Sequence, residues 1–324
     1  MGAAMKTAVI GAARNRNGIG EYIARYLHEN GMEVACVLGS SQQSSSAAAA
    51  EIARYGIEAK PYADFFRMMD ECRVDCVAIA SPSHTHKGYI DKCIDAGVHI
   101  LCEKPFISPE MAGQDEWIEQ TFIRAQEKGI VIAMNSQWPF CLAFYEELCG
   151  SIDSETIMDF SIRLSPFSEG GDMIPDSVPH ALSILYCAAG PGKIERLDFR
   201  QGHDTLGIRF DYITGKSSCA VMIDLVRETE QPRTFYFGFN GLIARRTIDL
   251  KTYTLYLTYR DKILKIADPL GLSVRDFVNA ISTKSEPLLG RSHVIHTATL
   301  LRQIHDEYLS YTRGFNGTTG TKRT

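Results

Sequence analysis

Residues 1–135 alternate short apolar runs, rich in β-branched residues, with segments whose apolar residues recur at helical spacing. This alternation is typical of β-α-β units, in which helices join parallel strands. Strands are predicted over 7–10, 33–38, 57–60, 75–80, 98–102 and 130–134. Helices are predicted over 20–28, 47–55, 86–96 and 109–128, with a short polar loop over 40–50. The sequence therefore predicts an α/β fold whose first domain, 1–135, is a doubly wound parallel sheet.

The pattern changes near residue 155, where apolar residues begin to alternate with polar or small ones along longer strands. Two such runs are Leu206, Ile208, Phe210, Tyr212 and Tyr253, Leu255, Leu257, Tyr259. Further strands are predicted over 217–226 and 234–240, and helical segments over 274–282 and 293–311. We predict a second, α+β domain over 136–312 with a large, mainly antiparallel sheet, and a disordered polar tail over 313–324.

Composition excludes several classes of function. The chain has 324 residues and a net charge of −5 without blocks of like charge, which argues against a nucleic-acid or membrane partner. No apolar stretch approaches the roughly 20 residues of a membrane helix. The nine cysteines include no Cys-x-x-Cys pair, and Cys72 and Cys76 lack further ligands nearby, so no metal is expected. A soluble, cytoplasmic protein with reduced thiols is predicted.

A glycine-bearing turn follows the first strand and leads into the first helix. Glycines there let backbone amides approach a pyrophosphate, and the helix end supplies partial positive charge. The spacing departs from G-x-G-x-x-G by about four extra residues, so an ordinary βα turn is the alternative. The predicted dinucleotide-binding residues are Gly11, Ala13, Arg14, Gly18, Ile19 and Gly20.

The end of the second strand indicates the type of dinucleotide. An Asp or Glu there would hold the ribose 2′-hydroxyl of NAD, but the chain has Ser40 and Ser41 instead. Two hydroxyls can donate to a 2′-phosphate, and Arg14 or Arg16 could add positive charge. We therefore predict NADP as the preferred cofactor, with NAD as the alternative; both serines could also be simple turn residues.

Glu103, Lys104 and Pro105 follow the fifth strand, at the edge where open α/β sheets bind ligands. The proline ends the strand and fixes the backbone, so Lys104 is expected to project into the crevice. Ser81, Pro82 and His86 follow the neighbouring strand, where a serine can meet the nicotinamide ribose or carboxamide. His86 could instead be only a first-turn helix residue. The predicted cofactor contacts at this edge are Ser81, Pro82, His86, Glu103 and Lys104.

Asp176 and His180 lie four residues apart in the second domain, with Asp176 expected to cap a helix. On a helix this spacing places both side chains on one face, about 5–6 Å apart. A carboxylate beside an imidazole, offered to a lysine of the other domain, forms a set for proton transfer. The alternative is a capping aspartate and a core histidine.

Together, Glu103-Lys104-Pro105, Ser81-Pro82-x-x-x-His86 and Asp176-x-x-x-His180 resemble the Gfo/Idh/MocA family of glucose-fructose oxidoreductases and inositol dehydrogenases. The resemblance covers roughly residues 6–311. It implies a Rossmann domain, a C-terminal domain whose open sheet forms a homodimer or homotetramer, and reversible hydride transfer at a sugar, cyclitol or related carbinol. It also implies that Lys104 polarises the substrate oxygen, that Asp176 assists, and that His180 is the general acid/base.

Three positions depart from the family pattern: the enlarged glycine loop, Asn135 to Trp138 in place of an arginine-bearing turn, and Ser183 in place of a further aspartate. They leave the substrate open. Trp138 could stack on a substrate ring or pack between the domains; the predicted substrate-binding residues are Lys104, Trp138, Asp176 and His180. An imine or enone reductase and a non-catalytic NAD(P)-sensing protein are the alternative functions.

Overall fold

The computed structural model describes residues 4–12 and 18–318, and it divides into two compact units. The first takes the described residues up to Gln137 together with Pro269–Ile295, and the second takes Trp138–Asp268 and the chain from His296. The sequence predicts a boundary after residue 135 and a second domain over 136–312.

The first unit is built on a six-stranded sheet in which every strand pair is parallel. Its strands are β1 (Lys6–Ile10), β2 (Glu33–Leu38), β3 (Lys60–Tyr62), β4 (Cys76–Ile79), β5 (His99–Glu103) and β6 (Ile132–Asn135). The spatial order is β3-β2-β1-β4-β5-β6, which is the Rossmann order, with its topological switch point between β1 and β4. The predicted α/β class is confirmed.

The helices of this unit are α1 (Gly20–Glu29), α2 (Gln42–Ala53), α3 (Phe65–Cys72), α4 (His86–Ala96), α5 (Gln114–Glu127) and, much later in the chain, α8 (Pro269–Thr283). Two local predictions were wrong. Helix α3 was not predicted, and the loop expected over 40–50 is mostly helix. The reason is a capping box: Ser41 accepts from the amide of Ser44, whose own hydroxyl contacts the Ser41 amide, so α2 begins at Gln42.

Helix α8 belongs to the first unit because its apolar face is buried there. Val274 and Phe277 are fully buried and share one hydrophobic cluster with Ile23 and Leu27 of α1. A Cβ on Gly271 would meet the ring of Tyr26 at 2.9 Å, which shows how closely α8 and α1 approach. The assignment of 274–282 to the second domain is therefore corrected: the helical spacing predicts a helix here, but spacing does not reveal which sheet a helix covers.

The second unit contains an eight-stranded sheet with the order β14-β13-β12-β11-β7-β10-β9-β8. The strands are β7 (Asp159–Leu164), β8 (Gly192–Gln201), β9 (Thr205–Thr214), β10 (Ser218–Val226), β11 (Tyr236–Phe239), β12 (Leu242–Asp249), β13 (Thr254–Tyr259) and β14 (Lys262–Ile266). Only β7 and β10 pair in parallel among the described strands of this sheet, so the mainly antiparallel sheet is confirmed.

Along the strands of this sheet, buried side chains alternate with more exposed ones, as the sequence pattern predicts. Leu206, Ile208, Phe210 and Tyr212 are all buried, whereas Tyr253 is exposed in the turn before β13. The buried face packs against helices α6 (Leu142–Cys149), α7 (Met173–Ala189) and the later part of α9 (Arg291–Thr318). Helix α9 extends to Thr318, so it runs into the segment predicted as a tail from 313; residues 319–324 lie outside the described residues.

All nine cysteines are free, and most of them are buried. Among the described residues, no helix is both long enough and apolar enough to cross a membrane.

Candidate active site

The carboxyl end of β1 meets the turn after β4 at the edge of the first sheet. Gly11 follows β1 with a φ of +81°, and its amide donates to the Leu38 carbonyl over 3.0 Å. A Cβ at this position would lie 2.7 Å from the Ser81 nitrogen and 2.9 Å from the Ala80 carbonyl carbon. Both the positive φ and the close backbone approach therefore require glycine.

A second glycine brings α1 against the same strand end. A Cβ on Gly20 would lie 2.5 Å from the Gly11 carbonyl oxygen and 2.8 Å from the Cα of Ala12. Ile19 is the N-cap of α1, and no side chain of the described residues caps this end. Helix amides without such a cap are suited to a phosphate group. Ala13 and Arg14, also predicted for this site, lie outside the described residues, and Gly18 resumes the described chain as a partly buried residue.

At the end of β2, Ser40 and Ser41 differ in what their hydroxyls do. Ser40 is exposed, whereas the Ser41 hydroxyl is engaged in the cap, 3.1 Å from the Ser44 amide and 3.3 Å from the Ser44 hydroxyl. Ser41 is therefore the N-cap of α2, and its predicted contact with the cofactor stays a prediction. Ser40 is left as the hydroxyl at this turn, where the chain carries no carboxylate between Leu38 and Ser44.

His86 is buried at the start of α4 and joins two turns. Its Nε2 lies 2.8 Å from the Ser81 carbonyl oxygen, and its Nδ1 lies 3.0 Å from the Pro105 carbonyl oxygen. Carbonyl oxygens only accept, so both contacts favour protonated ring nitrogens. Burial nevertheless lowers the pKa of His86 overall. The alternative reading of His86 as a first-turn residue is correct for its position, yet its ring connects the Ser81 turn to the Lys104 turn.

Lys104 follows β5 directly and is half-buried, and its peptide bond to Pro105 is cis. The preceding carboxylate is held in place. Glu103 Oε1 accepts from the side-chain amide of Asn135, whose Oδ1 accepts from the Ser273 hydroxyl over 2.7 Å. Asn135 and Ser273 are both buried, so β6 and α8 fix the carboxylate beside Lys104. Sequence reasoning missed Ser273, because nothing in a helical pattern shows which helix packs at this edge.

In the second unit, α7 carries both Asp176 and His180, as the spacing predicted. The capping role of Asp176 is wrong, since α7 begins at Met173 and Asp176 lies inside its first turns. Its Oδ2 instead accepts from the amides of Phe167 (3.0 Å) and Ser168 (3.3 Å) in the loop before the helix. These contacts hold the carboxylate in a fixed position beside the helix face that carries His180.

Trp138 lies beside His180 and is 6% exposed. Their ring centres are 6.4 Å apart at an interplanar angle of 75°, an edge-to-face arrangement. Trp138 also stacks on Phe235, with centres 3.9 Å apart and an angle of 19°. One indole face is therefore occupied by protein, which favours packing over ligand stacking on that face.

Two arginines near these residues were not singled out from the sequence. The guanidinium carbon of Arg246 lies 5.3 Å from the Trp138 ring centre and 5.6 Å from that of Phe235. The guanidinium of Arg233 lies over the Phe167 ring. The position of Arg246 could have been predicted from strand alternation. It follows the buried Ala244 by two residues on β12, so both side chains lie on the covered face of the sheet.

Residues 5–131 match the family model described as "Oxidoreductase family, NAD-binding Rossmann fold" (GFO_IDH_MocA). This segment is similar to the Gfo/Idh/MocA oxidoreductase family. The resemblance predicted from the sequence is thereby confirmed. The family's description also supports the predicted oxidoreductase class and a nicotinamide dinucleotide as cofactor.

Several curated relatives are dehydrogenases. Inositol 2-dehydrogenase 1 of Saccharopolyspora erythraea is 39% identical over 75 residues, which are 23% of this chain and 21% of the relative. Inositol 2-dehydrogenase 2 of the same organism is matched over 30% of its length, so these matches span less than a third of either relative. UDP-N-acetylglucosamine 3-dehydrogenase of Acidithiobacillus ferrooxidans is 22% identical over 86% of this chain and 89% of the relative.

Solved structures show the fold over almost the whole chain. The structure of that UDP-N-acetylglucosamine 3-dehydrogenase has a TM-score of 0.70 at 20% identity, covering 94% of this chain and 98% of the other. A levoglucosan dehydrogenase in complex with NADH and levoglucosan has a TM-score of 0.70 at 14% identity, covering 95% and 98%. The predicted two-part architecture is therefore shared with dehydrogenases.

Proposed function

We propose that the protein is an NAD(P)-dependent dehydrogenase that transfers a hydride between nicotinamide and a carbinol or carbonyl carbon of a sugar, cyclitol or related small molecule. One observation carries the proposal. Gly11, Ser81 and Lys104 follow β1, β4 and β5, three neighbouring strands, so a glycine turn, a serine turn and a lysine share the sheet edge where such folds bind dinucleotides. The family description and the dehydrogenase relatives support it.

The residues at this edge fit a dinucleotide. Gly11 and Gly20 let the end of β1, the turn after β4 and the start of α1 approach one another closely, and the first turn of α1 has no side-chain cap among the described residues. Gly18 and Ile19 complete this turn, and we assign Ala13 and Arg14 to it from the sequence. Ser81, Pro82 and His86, with Glu103, form the edge toward the nicotinamide. A bound nicotinamide supplies the acceptor or donor of the hydride.

The chain's own residues handle the proton. When the carbinol carbon gives up its hydride, the attached oxygen must lose a proton, and His180 is the proposed acceptor. Lys104 polarises the same oxygen through its charge. Asp176, fixed by two backbone amides, stabilises the imidazolium that forms. The convergence of Lys104 with Asp176 and His180 is part of the proposal.

NADP is the proposed cofactor, with NAD second. The turn after β2 lacks the carboxylate that would hold a ribose 2′-hydroxyl, and Ser40 is exposed where a 2′-phosphate would lie.

We further propose a cytoplasmic homodimer or homotetramer formed through the open face of the second sheet. Ile243 on β12 and Met222 on β10 are only partly covered there. Light scattering that gives a monomer mass would contradict the oligomer.

The test is a turnover assay that follows the reduced-nicotinamide absorbance band. A panel of neutral sugars, cyclitols, amino sugars, sugar acids and sugar phosphates is tested with both cofactors, and carbonyl and imine compounds are tested in the reducing direction. We expect oxidation of at least one carbinol. Reduction confined to imines or enones would indicate an imine or enone reductase instead of an alcohol dehydrogenase. Cofactor binding without any turnover would indicate an NAD(P)-sensing protein.

A further inference from the structure

Arg233 and Arg246 are a pair of neighbouring cationic residues in the second unit. Both are only partly exposed, and Arg246 Nη2 donates to the Arg233 carbonyl oxygen over 2.6 Å. Arg233 Nη1 donates to the Ser165 carbonyl oxygen over 3.2 Å. The Nε atoms of both guanidiniums are buried and have no hydrogen-bond partner among the described residues.

No carboxylate of the described residues forms an ion pair with either arginine. Asp176 and Glu228 act on Arg233 only through longer-range attraction, and Asp268 acts likewise on Arg246. Glu228 instead pairs with Arg163 over 2.8 Å. Burial lowers the pKa of both arginines, and the charge of Arg233 lowers that of Arg246 further. Two neighbouring, partly buried cations without a paired anion are costly to fold.

The pair is connected to both residues of the proposed proton-transfer set. Arg246 lies against the Trp138 ring, which also contacts the His180 ring edge to face. Arg233 contacts the Ser165 carbonyl and the Phe167 ring, in the loop whose amides hold Asp176. One aromatic ring thus separates a guanidinium from the proposed base.

We propose that Arg233 and Arg246 bind an anionic group of the substrate, a carboxylate or a phosphate, so that the substrate is an anionic sugar or cyclitol derivative rather than a neutral polyol. This inference rests on the proposed function. The planar guanidinium fork matches carboxylate and phosphate oxygens, and an anion between the two arginines would supply the missing partner. Trp138 then acts as the spacer that sets the distance from the anionic group to the reacting carbinol.

The test compares Arg233→Gln and Arg246→Gln with Arg245→Gln. Arg245 is exposed, precedes Arg246 on β12, and lies over Tyr236 on the opposite face, which makes it the matched control. Calorimetric titrations use the cofactor-loaded protein with D-glucuronate, D-glucose 6-phosphate and neutral D-glucose. Thermal melting establishes that each variant is folded, and Arg246→Lys retains the charge if Arg246→Gln melts early.

We expect the unmodified protein to bind glucuronate or glucose 6-phosphate at least tenfold more tightly than glucose. Arg233→Gln and Arg246→Gln should each reduce that preference about 10- to 100-fold, the usual range for a lost charge-assisted bond, and Arg245→Gln should retain it. The anion that binds distinguishes a carboxylate substrate from a phosphate one. Equal affinity for charged and neutral probes, or an unchanged preference in both folded Gln variants, would overturn the anion site.

Turnover measured in parallel separates the two proposals. Arginine-dependent anion binding without hydride transfer to any panel compound would overturn the dehydrogenase and leave the anion site standing. Turnover of neutral polyols with no preference for charged ones would overturn the anion site alone.

Discussion

The imidazole of His86 contacts the carbonyl oxygen of Pro105 over 3.0 Å, across 19 residues of sequence. Through its other nitrogen, the ring also contacts the Ser81 carbonyl. The ring therefore fixes the distance between the turn after β4 and the turn that presents Lys104. It is buried and contacts only backbone oxygens, so we regard His86 as a positioning residue.

We predict that His86→Phe, which keeps an aromatic ring, lowers the free energy of unfolding by about 1–3 kcal/mol because the carbonyls of Ser81 and Pro105 lose their polar partner. Turnover should fall while KM for the substrate changes little, since Lys104 would be misplaced by a fraction of an ångström. Denaturant melts and steady-state kinetics check this, with His84→Phe as the control at an exposed neighbouring position. An equal fall in turnover in both variants would contradict the positioning role.

The second prediction concerns Gly11, where glycine is required for two reasons that can be separated: the positive φ and the close approach of other backbone atoms. Gly11 and Gly31 share a positive φ, at +81° and +83°, but only Gly11 has backbone atoms where a Cβ would go. Gly31→Ala should therefore cost only the conformational strain, about 1–2 kcal/mol. Gly11→Ala should cost more, and it should also weaken cofactor binding, because the strand end must shift.

Thermal melting and calorimetric titration with NADPH measure both effects. If Gly11→Ala and Gly31→Ala lose the same stability and keep the same cofactor affinity, the close backbone packing at Gly11 does not shape the cofactor site.

Cofactor choice gives a third prediction. The unmodified protein should bind NADPH more tightly than NADH, and Ser40→Asp should invert that order through repulsion between the carboxylate and the 2′-phosphate. Ser46→Asp is the control, since it adds the same charge to an exposed position of α2 further from the turn. Tighter binding of NADH by the unmodified protein in a calorimetric titration would refute the NADP assignment.

Much of the first unit could be predicted because its strands are buried on both faces. The runs before Gly11, Ser81 and Lys104 are continuous apolar segments, and their order along the chain fixes which turns share an edge. The spacing of Asp176 and His180 likewise predicted one helix correctly. These features depend on neighbours in sequence.

What could not be predicted depends on packing between distant segments. The Ser273–Asn135–Glu103 chain requires α8 to return to the first sheet after the whole second sheet has been built. Arg233 reaches Asp176 only through the loop that folds back over α7. Such contacts arise from tertiary structure, and no local period in the sequence records them.

If Lys104 and His180 have structural rather than catalytic roles, substitutions at these positions should have different effects. A core histidine replaced by alanine should lose stability and cofactor affinity together with activity. A catalytic His180 should lose turnover while the protein still melts normally and binds NADPH. Trp138 contacts His180 edge-on, so melting curves for His180→Ala and His180→Gln separate lost packing from lost proton transfer.

The most direct test is the turnover of Lys104→Ala, measured beside its melting temperature and its affinity for NADPH. Lys251→Ala, at an exposed loop position of the second unit, is the matched control. We predict that Lys104→Ala lowers turnover by about 10²–10⁴-fold with melting temperature and cofactor affinity nearly unchanged, because proton transfer and charge stabilisation are worth that much. Turnover of Lys104→Ala close to that of the unmodified protein would contradict the account.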